Sequence, residues 1–278
     1  MNAVGNEHAA GEQGDSGRDA LLDLISNFCD GVEAEFQERW SQWPVDLTTP
    51  GPTEVTAGLL RRQVSLAIAI AQNPGLWTPA VAPILLRSMV EVHIWLAWIL
   101  LDPVERSRKF IDDGLGKEKL ILKHRADEII ALNANPDEDA LVRDSQNWIE
   151  TQRYSFMIDV NLSGSWSGLD TREMATEAGL RDFYRFTYPV WSTAVHSTWN
   201  CISRYELRRC GNPLHAYHLV PNCEPRHAVT WFLWLAAKYL DKSFRLVDKQ
   251  FGFRVATAST FGRMFEDNDS ATDVGPSE

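Results

Sequence analysis

The stretch WTPAVAPILLRSMVEVHIWLAWILL, residues 77–101, decides the fold. Its apolar residues surround the helix instead of following one stripe, which is typical of a helix buried on nearly all sides. Arg87 and Glu91 stand near its centre, four residues apart and therefore on one helical face. Because an unpaired buried charge costs several kcal/mol, we expect these side chains to pair and to contact further polar groups. This pair is the strongest indication of a functional site in the sequence.

The rest of the chain repeats apolar residues at steps of three and four, as amphipathic helices do. With 278 residues and 44% hydrophobic composition, it can bury one large core. We predict an all-α fold, a single bundle of about six to eight helices over residues 19–261. A long helix is predicted from Leu180 to about Arg209, bent at Pro189, and a last helix from about Pro225 to Lys249. An alternative with a β-strand is confined to residues 214–220.

The two ends of the chain, residues 1–18 and 262–278, are poor in apolar side chains and carry more acids than bases. We predict disordered acidic tails there. The net charge is -11, yet residues 181–254 hold eleven Lys and Arg against five acids. Such a basic C-terminal third can bind RNA, or the acidic part of a second copy in a homodimer. Ordinary solvated helix faces are the simplest explanation of the same charges.

The four cysteines are widely spaced and the N-terminus is polar and acidic, so we expect a cytoplasmic protein without a signal peptide. Residues 77–101 have the length of a membrane span. However, Arg87, Glu91 and His93 near its centre would be costly in hydrocarbon. We therefore expect a buried helix and no membrane contact.

A second apolar helix, around Pro189, carries a polar stripe with a spacing of four residues. Its members are Tyr184, Tyr188, Ser192 and His196. We expect this stripe to lie against the charged pair of the first helix. The candidate catalytic residues are therefore Arg87, Glu91, His196, Tyr188 and Ser192. A structural hydrogen-bond network that fixes the helix register explains the same pattern.

The motif RSMVE (residues 87–91), in an apolar helix followed by Asp-Pro, and the motif YRFTYPVWSTAVHS (residues 184–197) carry a resemblance. They resemble an uncharacterised bacterial helical family, the domain of unknown function family 5677. The resemblance covers about Thr53 to Lys249. It implies that Arg87, Glu91 and His196 match the prominent polar positions of that family, and it implies no particular activity.

The spacing of Arg87 and His93 is similar to that of HEPN-type helical ribonucleases, in which a few residues separate an Arg from a His. This similarity implies metal-independent RNA cleavage, with His as general acid and base and Arg stabilising the transition-state charge. Two further pairs, from Arg208 and Arg209 to His215, fit the spacing as well. Arg87 and His93 would lie about 120° apart on a straight helix. If RNA is cleaved, His196 is therefore the better partner for Arg87.

The linker before the last helix contains residues that zinc accepts as ligands. They are Cys210, His215, His218, Cys223 and His227. Their spacing matches no common zinc finger or ribbon, so free thiols and histidines are the expectation and we predict neither metal nor cofactor. The sequence also lacks the Glu-x-x-His pairs of di-iron bundles, Gly-rich phosphate loops and serine nucleophile elbows.

Two functions from different classes fit these patterns. The first is a metal-independent endoribonuclease, such as a toxin or defence protein, with the basic C-terminal third as the RNA surface. The second is a non-enzymatic helical interaction or sensing module, whose polar cluster is structural and whose apolar surface forms a homodimer. A solvent-accessible cleft at Arg87 and His196 favours the first, and a closed polar core favours the second.

Overall fold

The structure is a computed structural model, and it describes residues 7–152 and 166–266. Within these residues it is a helical bundle with one short antiparallel hairpin, which confirms the predicted all-α class. The elements are α1 Glu7–Ser41, α2 Gly51–Ala71, α3 Ala82–Ile99, α4 Pro103–Ala131, α5 Ala140–Thr151, α6 Thr171–Glu177, α7 Arg181–Val195, α8 Trp199–Tyr205, β1 Leu207–Arg209, β2 Leu219–Pro221 and α9 Trp231–Phe251.

Helix α3 is the centre of the bundle and packs against α2, α6, α7 and α9. Leu86, Met89, Ile94 and Leu96 are fully buried on it. Burying one such side chain stabilises the fold by about 1.5–3 kcal/mol, so α3 supplies a large part of the core energy. The helix has the length and composition of a membrane span, but 67% of this window is buried among the other helices. It begins with Pro83 in its first turn, a position where the missing N–H is harmless.

The predicted long helix over residues 180–209 is wrong, because the chain divides there into α7, α8 and β1. Ser197 has a positive φ of 47°, which ends helical geometry. Thr198 closes the end of α7, since its backbone N–H donates to the carbonyl of Thr193 at 3.1 Å. Likewise, α9 begins at Trp231 and not at Pro225. The strands β1 and β2, paired with Arg208 opposite Val220, are too short to show an alternating pattern.

The described helix α1 begins at Glu7, inside the segment for which the sequence predicts a disordered tail. Residues 1–6 of that tail lie outside the described residues. At the other end, Gly262–Glu266 form a π-helical turn, and Met264 and Phe265 pack against the core. The packed domain thus extends beyond the predicted boundary at residue 261. The rest of the predicted acidic tail, residues 267–278, lies outside the described residues.

Helix α1 holds the segment that follows α9. The Glu38 carboxylate accepts the backbone N–H groups of Ala256 and Thr257. Glu35, which is only 3% exposed, accepts the N–H of Thr260 at 2.7 Å. Backbone donors of an irregular segment need such partners when they are buried. These bonds hold residues 256–260 against α1.

Candidate functional site

Arg87 lies where α3 meets α7. Its Nε donates a hydrogen bond to Ser192 Oγ at 2.9 Å, and Ser192 Oγ in turn donates to the carbonyl of Tyr188 at 2.7 Å. The Ser192 hydroxyl has a single proton, which it donates to Tyr188, so it can only be the acceptor in its bond with Arg87. The bond connects the central helix to a helix that lies about one hundred residues later in the chain. The predicted meeting of the charged pair and the polar stripe is therefore present for Ser192 and Tyr188.

Glu91 neutralises Arg87 from the next turn of α3. Arg87 Nη1 lies 3.0 Å from Glu91 Oε2, and Nη2 donates to Oε1 at 3.4 Å. The Nη1 contact is electrostatic only, since no acceptor among the described residues is aligned with its N–H bonds. The side chains are 11% and 27% exposed. Burial lowers the pKa of Arg87, and the carboxylate of Glu91 opposes this effect. The pair is shielded but is not sealed from water.

Two tyrosines of α7 complete the cluster. The Arg87 guanidinium lies over the ring of Tyr188, 3.1 Å from its centroid, as in a cation–π contact. Tyr184 stacks on Tyr188 with ring centroids 4.8 Å apart. The Tyr188 hydroxyl donates to Thr171 Oγ1 at 3.3 Å, in the first turn of α6. The cluster therefore joins three helices, α3, α6 and α7.

His196 does not join this cluster, although the sequence places it there. It is exposed, it caps the end of α7, and among the described residues it forms no hydrogen bond with Arg87 or Glu91. A spacing of four residues turns a helix face by about 40° at each step, so the stripe rotates away from α3. The helix also ends at Val195, one residue before this histidine.

His93 belongs to a separate, buried polar network between α2, α3 and α9. Its Nδ1 lies 2.9 Å from Ser243 Oγ, which also accepts from Gln63 Nε2 at 3.1 Å. Because the Ser243 hydroxyl donates to the carbonyl of Tyr239, His93 must be the donor to Ser243. Burial, with a smaller contribution from Lys242, lowers the pKa of His93 to about 4. His93 is thus neutral and faces away from Arg87, so the two do not form the site that the HEPN-like spacing implies.

Among the described residues, the most buried ionic cluster lies elsewhere, and it was not predicted from the sequence. Arg39 of α1, 4% exposed, makes two parallel hydrogen bonds to the Asp248 carboxylate of α9, at 2.8 and 2.7 Å. Its Nη1 donates to the carbonyl oxygen of Glu35 at 2.9 Å, and its guanidinium lies over Phe244. The signal was available, because Glu35 and Arg39 stand four residues apart beside the apolar stripe of α1.

A cleft lies between α7, α8, the start of α9 and the turn that leads into the first residues of α3. We call it the α7 cleft, and its volume is about 710 Å³. Trp191 and Trp231 form part of its wall, with ring centroids 6.1 Å apart. Arg204 stands at its rim, exposed, and forms no ion pair with any described residue. The lining residues are Pro79, Pro83, Pro189, Val190, Trp191, Thr193, Ala194, Asn200, Cys201, Arg204, Tyr205, Val229, Trp231 and Phe232.

A larger cleft, of about 1010 Å³, lies between α2, α4 and α5. Its wall reaches Gln152, which is the last described residue before the gap at 153–165. All the residues that line either cleft lie within the described ranges.

The linker before α9 brings only some of its candidate metal ligands together. Cys210, His215 and His218 converge, with their ligand atoms all within 4.8 Å of one another. Cys223 and His227 are exposed and stand apart from this group. The three converging residues are one cysteine and two histidines, a donor set that zinc accepts.

These features define a class of protein, an all-α bundle whose central apolar helix pairs an Arg–Glu couple with a Tyr–Ser stripe. The chain belongs to the family of unknown function DUF5677, which residues 53–211 match. The match runs from α2 to the start of the hairpin loop, so it includes Arg87, Glu91 and His196. Neither the curated proteins nor the solved structures contain a match to the chain. The similarity to HEPN ribonucleases stays a prediction.

Proposed function

We propose that the protein is a non-enzymatic sensing module, whose α7 cleft binds a small molecule with an apolar body and an anionic head group. The cluster of Arg87, Glu91, Tyr188 and Ser192 is structural and fixes α7 against α3. The observation that carries the proposal is the Arg204 guanidinium at the rim of an aromatic cleft. It is a cation without an ion-pair partner among the described residues, next to walls of Trp191 and Trp231.

The chemistry of the cleft supports this ligand class. Small-molecule sites are concave and mostly apolar, and a few polar groups at their edge fix the ligand's orientation. The volume of about 710 Å³ falls in the usual range of about 300–1,000 Å³ for such sites. Aromatic and proline side chains favour an apolar body, while Arg204 favours a carboxylate, sulfate or phosphate. Asn200 and Tyr205 supply neutral hydrogen-bonding groups beside it.

Helix α7 connects the cleft to the rest of the fold. Trp191 and Ala194 line the cleft, while Ser192 and Tyr188 hold the helix to α3 through Arg87. A ligand that binds only when α7 sits in this register stabilises the register by its own binding energy. We propose that this coupling is how occupancy of the cleft is passed to a partner.

The polar cluster itself supports a structural role more than a catalytic one. The Arg87 side chain contacts Ser192, Glu91 and Tyr188 of its own chain. A general base for RNA cleavage must reach the proton that it removes. His93 is turned into the core, and His196 is exposed without a contact to Arg87 among the described residues.

The test compares decanoate with decanol by calorimetry. We expect decanoate to bind roughly fivefold more tightly, because an exposed ion pair contributes up to about 1 kcal/mol. This preference should vanish in Arg204→Gln and should persist in the control Arg208→Gln, whose exposed side chain lies on β1, outside the cleft. Equal affinities for the two probes in the wild-type protein, or an unchanged preference in Arg204→Gln, refute the proposed site.

RNA cleavage is the second candidate function. Exposed His196 is followed by the exposed arginines 204, 208 and 209, which favour an RNA contact at this end of the bundle. A purified protein that cuts transfer or messenger RNA without added metal, and loses the activity in His196→Ala, would support this candidate over the sensing module. Intact RNA would count against it.

A further inference from the structure

The loop of the β1–β2 hairpin gathers three metal-binding side chains on one side. Cys210 Sγ lies 3.7 Å from His215 Nδ1, and the rings of His215 and His218 have centroids 5.4 Å apart. All three ligand atoms lie within 4.8 Å of one another. A tetrahedral zinc ion holds sulfur and nitrogen ligands about 3.4–3.6 Å apart, given its usual bond lengths. The triplet is therefore close to a ligand arrangement before any ion is bound.

The backbone of the loop produces this convergence. Cys210 directly follows β1, and its N–H donates to the carbonyl of His218 at 2.9 Å. Between them, two successive turns are closed by bonds from His215 to Asn212 and from His218 to His215, at 3.0 and 3.1 Å. The Asn212 amide also lies 3.3 Å from His215 Nε2, the ring nitrogen that faces away from Cys210. The turns place both histidines opposite the cysteine, and the asparagine orients one ring.

We propose that Cys210, His215 and His218 bind one Zn²⁺ ion at the tip of the hairpin. One thiolate and two imidazoles match zinc, which prefers sulfur and nitrogen ligands in tetrahedral geometry. On binding, the Cys210 thiol releases its proton to solvent as the zinc–sulfur bond forms. Each histidine supplies a ring-nitrogen lone pair, and a water molecule takes the fourth position.

The hairpin register separates this triplet from the other ligands of the linker. Arg209 pairs with Leu219 and Leu207 with Pro221, so Cys210 lies at the loop end of the ladder. Cys223 follows β2 at the opposite end. Because strand residues advance by about 3.3 Å each, the two cysteines lie too far apart to share one ion. Cys223 is therefore a matched control, an exposed thiol on the same hairpin that takes no part in the site.

The location of the site at the hairpin tip determines how zinc exchanges with solvent and which part of the structure it stabilises. Both histidines are exposed and Cys210 is half-buried, so zinc can enter and leave without unfolding of the bundle. The loop also carries Leu214 and Tyr217, which are among the most exposed large side chains of the described residues. Zinc would hold this loop in one conformation and thereby fix the presentation of these two side chains.

The experiment uses the full chain, reduced and freed of metal with a chelator, then titrated with zinc against a chromophoric chelator and separately with Co²⁺. The wild-type protein and Cys223→Ser should each bind one equivalent of zinc. Cys210→Ser and His218→Ala should bind it more than about tenfold more weakly. Cys210→Ser should also lose the thiolate-to-cobalt charge-transfer absorption, which Cys223→Ser should keep.

The outcomes separate the proposal from adventitious binding by exposed thiols and histidines. Equal weakening in Cys223→Ser and Cys210→Ser would overturn it, as would a wild-type protein that takes up no zinc. Circular dichroism should be unchanged in all variants, because the hairpin tip lies outside the hydrophobic core. The result is independent of the α7 cleft, since neither cysteine lines that cleft.

Discussion

Replacing Ser192 by alanine tests whether the bond to Arg87 fixes α7 against α3. The change removes the acceptor of Arg87 Nε and leaves this N–H without its partner in a shielded position. Hydrogen bonds to charged groups contribute about 1.5–3 kcal/mol. We take the lower end of this range, because the neighbouring Glu91 side chain is partly exposed and water can reach the site. Alanine returns about 0.5 kcal/mol through its higher helix propensity. The expected loss in the free energy of unfolding is therefore about 1 kcal/mol.

Ser65 provides the control. Its hydroxyl also donates to the carbonyl four residues earlier in its helix, at 3.1 Å, but it accepts no bond from another helix among the described residues. Ser65→Ala should therefore be neutral or stabilising by up to about 0.5 kcal/mol, because the propensity gain is its main effect. Urea denaturation followed by circular dichroism measures both variants, and Arg87→Met provides the background for a double-mutant cycle.

In the Arg87→Met background, Ser192→Ala should behave like Ser65→Ala, because its cross-helix partner is gone. Two results would refute the reasoning. One is a difference below about 0.5 kcal/mol between the two serine variants in the wild-type protein, which is within the usual range of surface substitutions. The other is full additivity of Arg87→Met and Ser192→Ala, since contacting residues should be coupled.

Three further predictions concern stability. Glu91→Ala should lower the free energy of unfolding, measured with denaturant, by about 2 kcal/mol more than Asp112→Ala does. This is less than the loss of about 3–5 kcal/mol expected for breaking a fully buried pair, because the Glu91 side chain is 27% exposed. Equal losses in the two variants would contradict this prediction. Gly31→Ala should destabilise the protein by about 1–3 kcal/mol, because the new Cβ would clash with the segment after α9. Gly58→Ala, which has open space around its Cβ position, should stabilise the protein by about 0.5–1 kcal/mol. The melting temperatures of the two variants should therefore shift in opposite directions. Folding lowers the pKa of His93 to about 4, so the unfolded chain protonates this histidine more readily than the folded protein does. The free energy of unfolding should therefore decrease as the pH drops from about 6.5 to 4. In His93→Gln the free energy of unfolding should depend less on pH over this range.

The central helix and its charged pair were predictable because both depend on local patterns. An apolar stretch that surrounds its helix has few alternatives to the middle of a bundle, and a charged pair within it requires polar neighbours. Ser192 and Tyr188 were found in this way. His196 was misplaced because the end of α7 depends on Ser197 and Thr198, whose backbone conformation leaves no periodic pattern in the sequence.

Contacts between distant parts of the chain were harder to predict. Arg39 and Asp248 lie 209 residues apart in the sequence. Asp248 stands near the end of α9, and nothing in the local sequence of that helix indicates that its partner is on α1. The α7 cleft has the same difficulty, since its wall combines the turn before α3, α8 and the start of α9. The hairpin triplet was visible as a set of residue types, but only the register of two three-residue strands shows which of them meet.

The bidentate contact of Arg39 with Asp248 has a consequence for biosynthesis. Arg39 of α1 leaves the ribosome before α9 does, and its partner Asp248 follows 209 residues later. Because translation adds about 5–20 residues per second, the Arg39 guanidinium has no Asp248 partner for on the order of ten to forty seconds. During this interval the apolar stripe of α1 has no completed docking site on α9. Nascent chains should therefore depend on chaperones until the last helix emerges, and a translational pause before α9 should reduce the yield of folded protein.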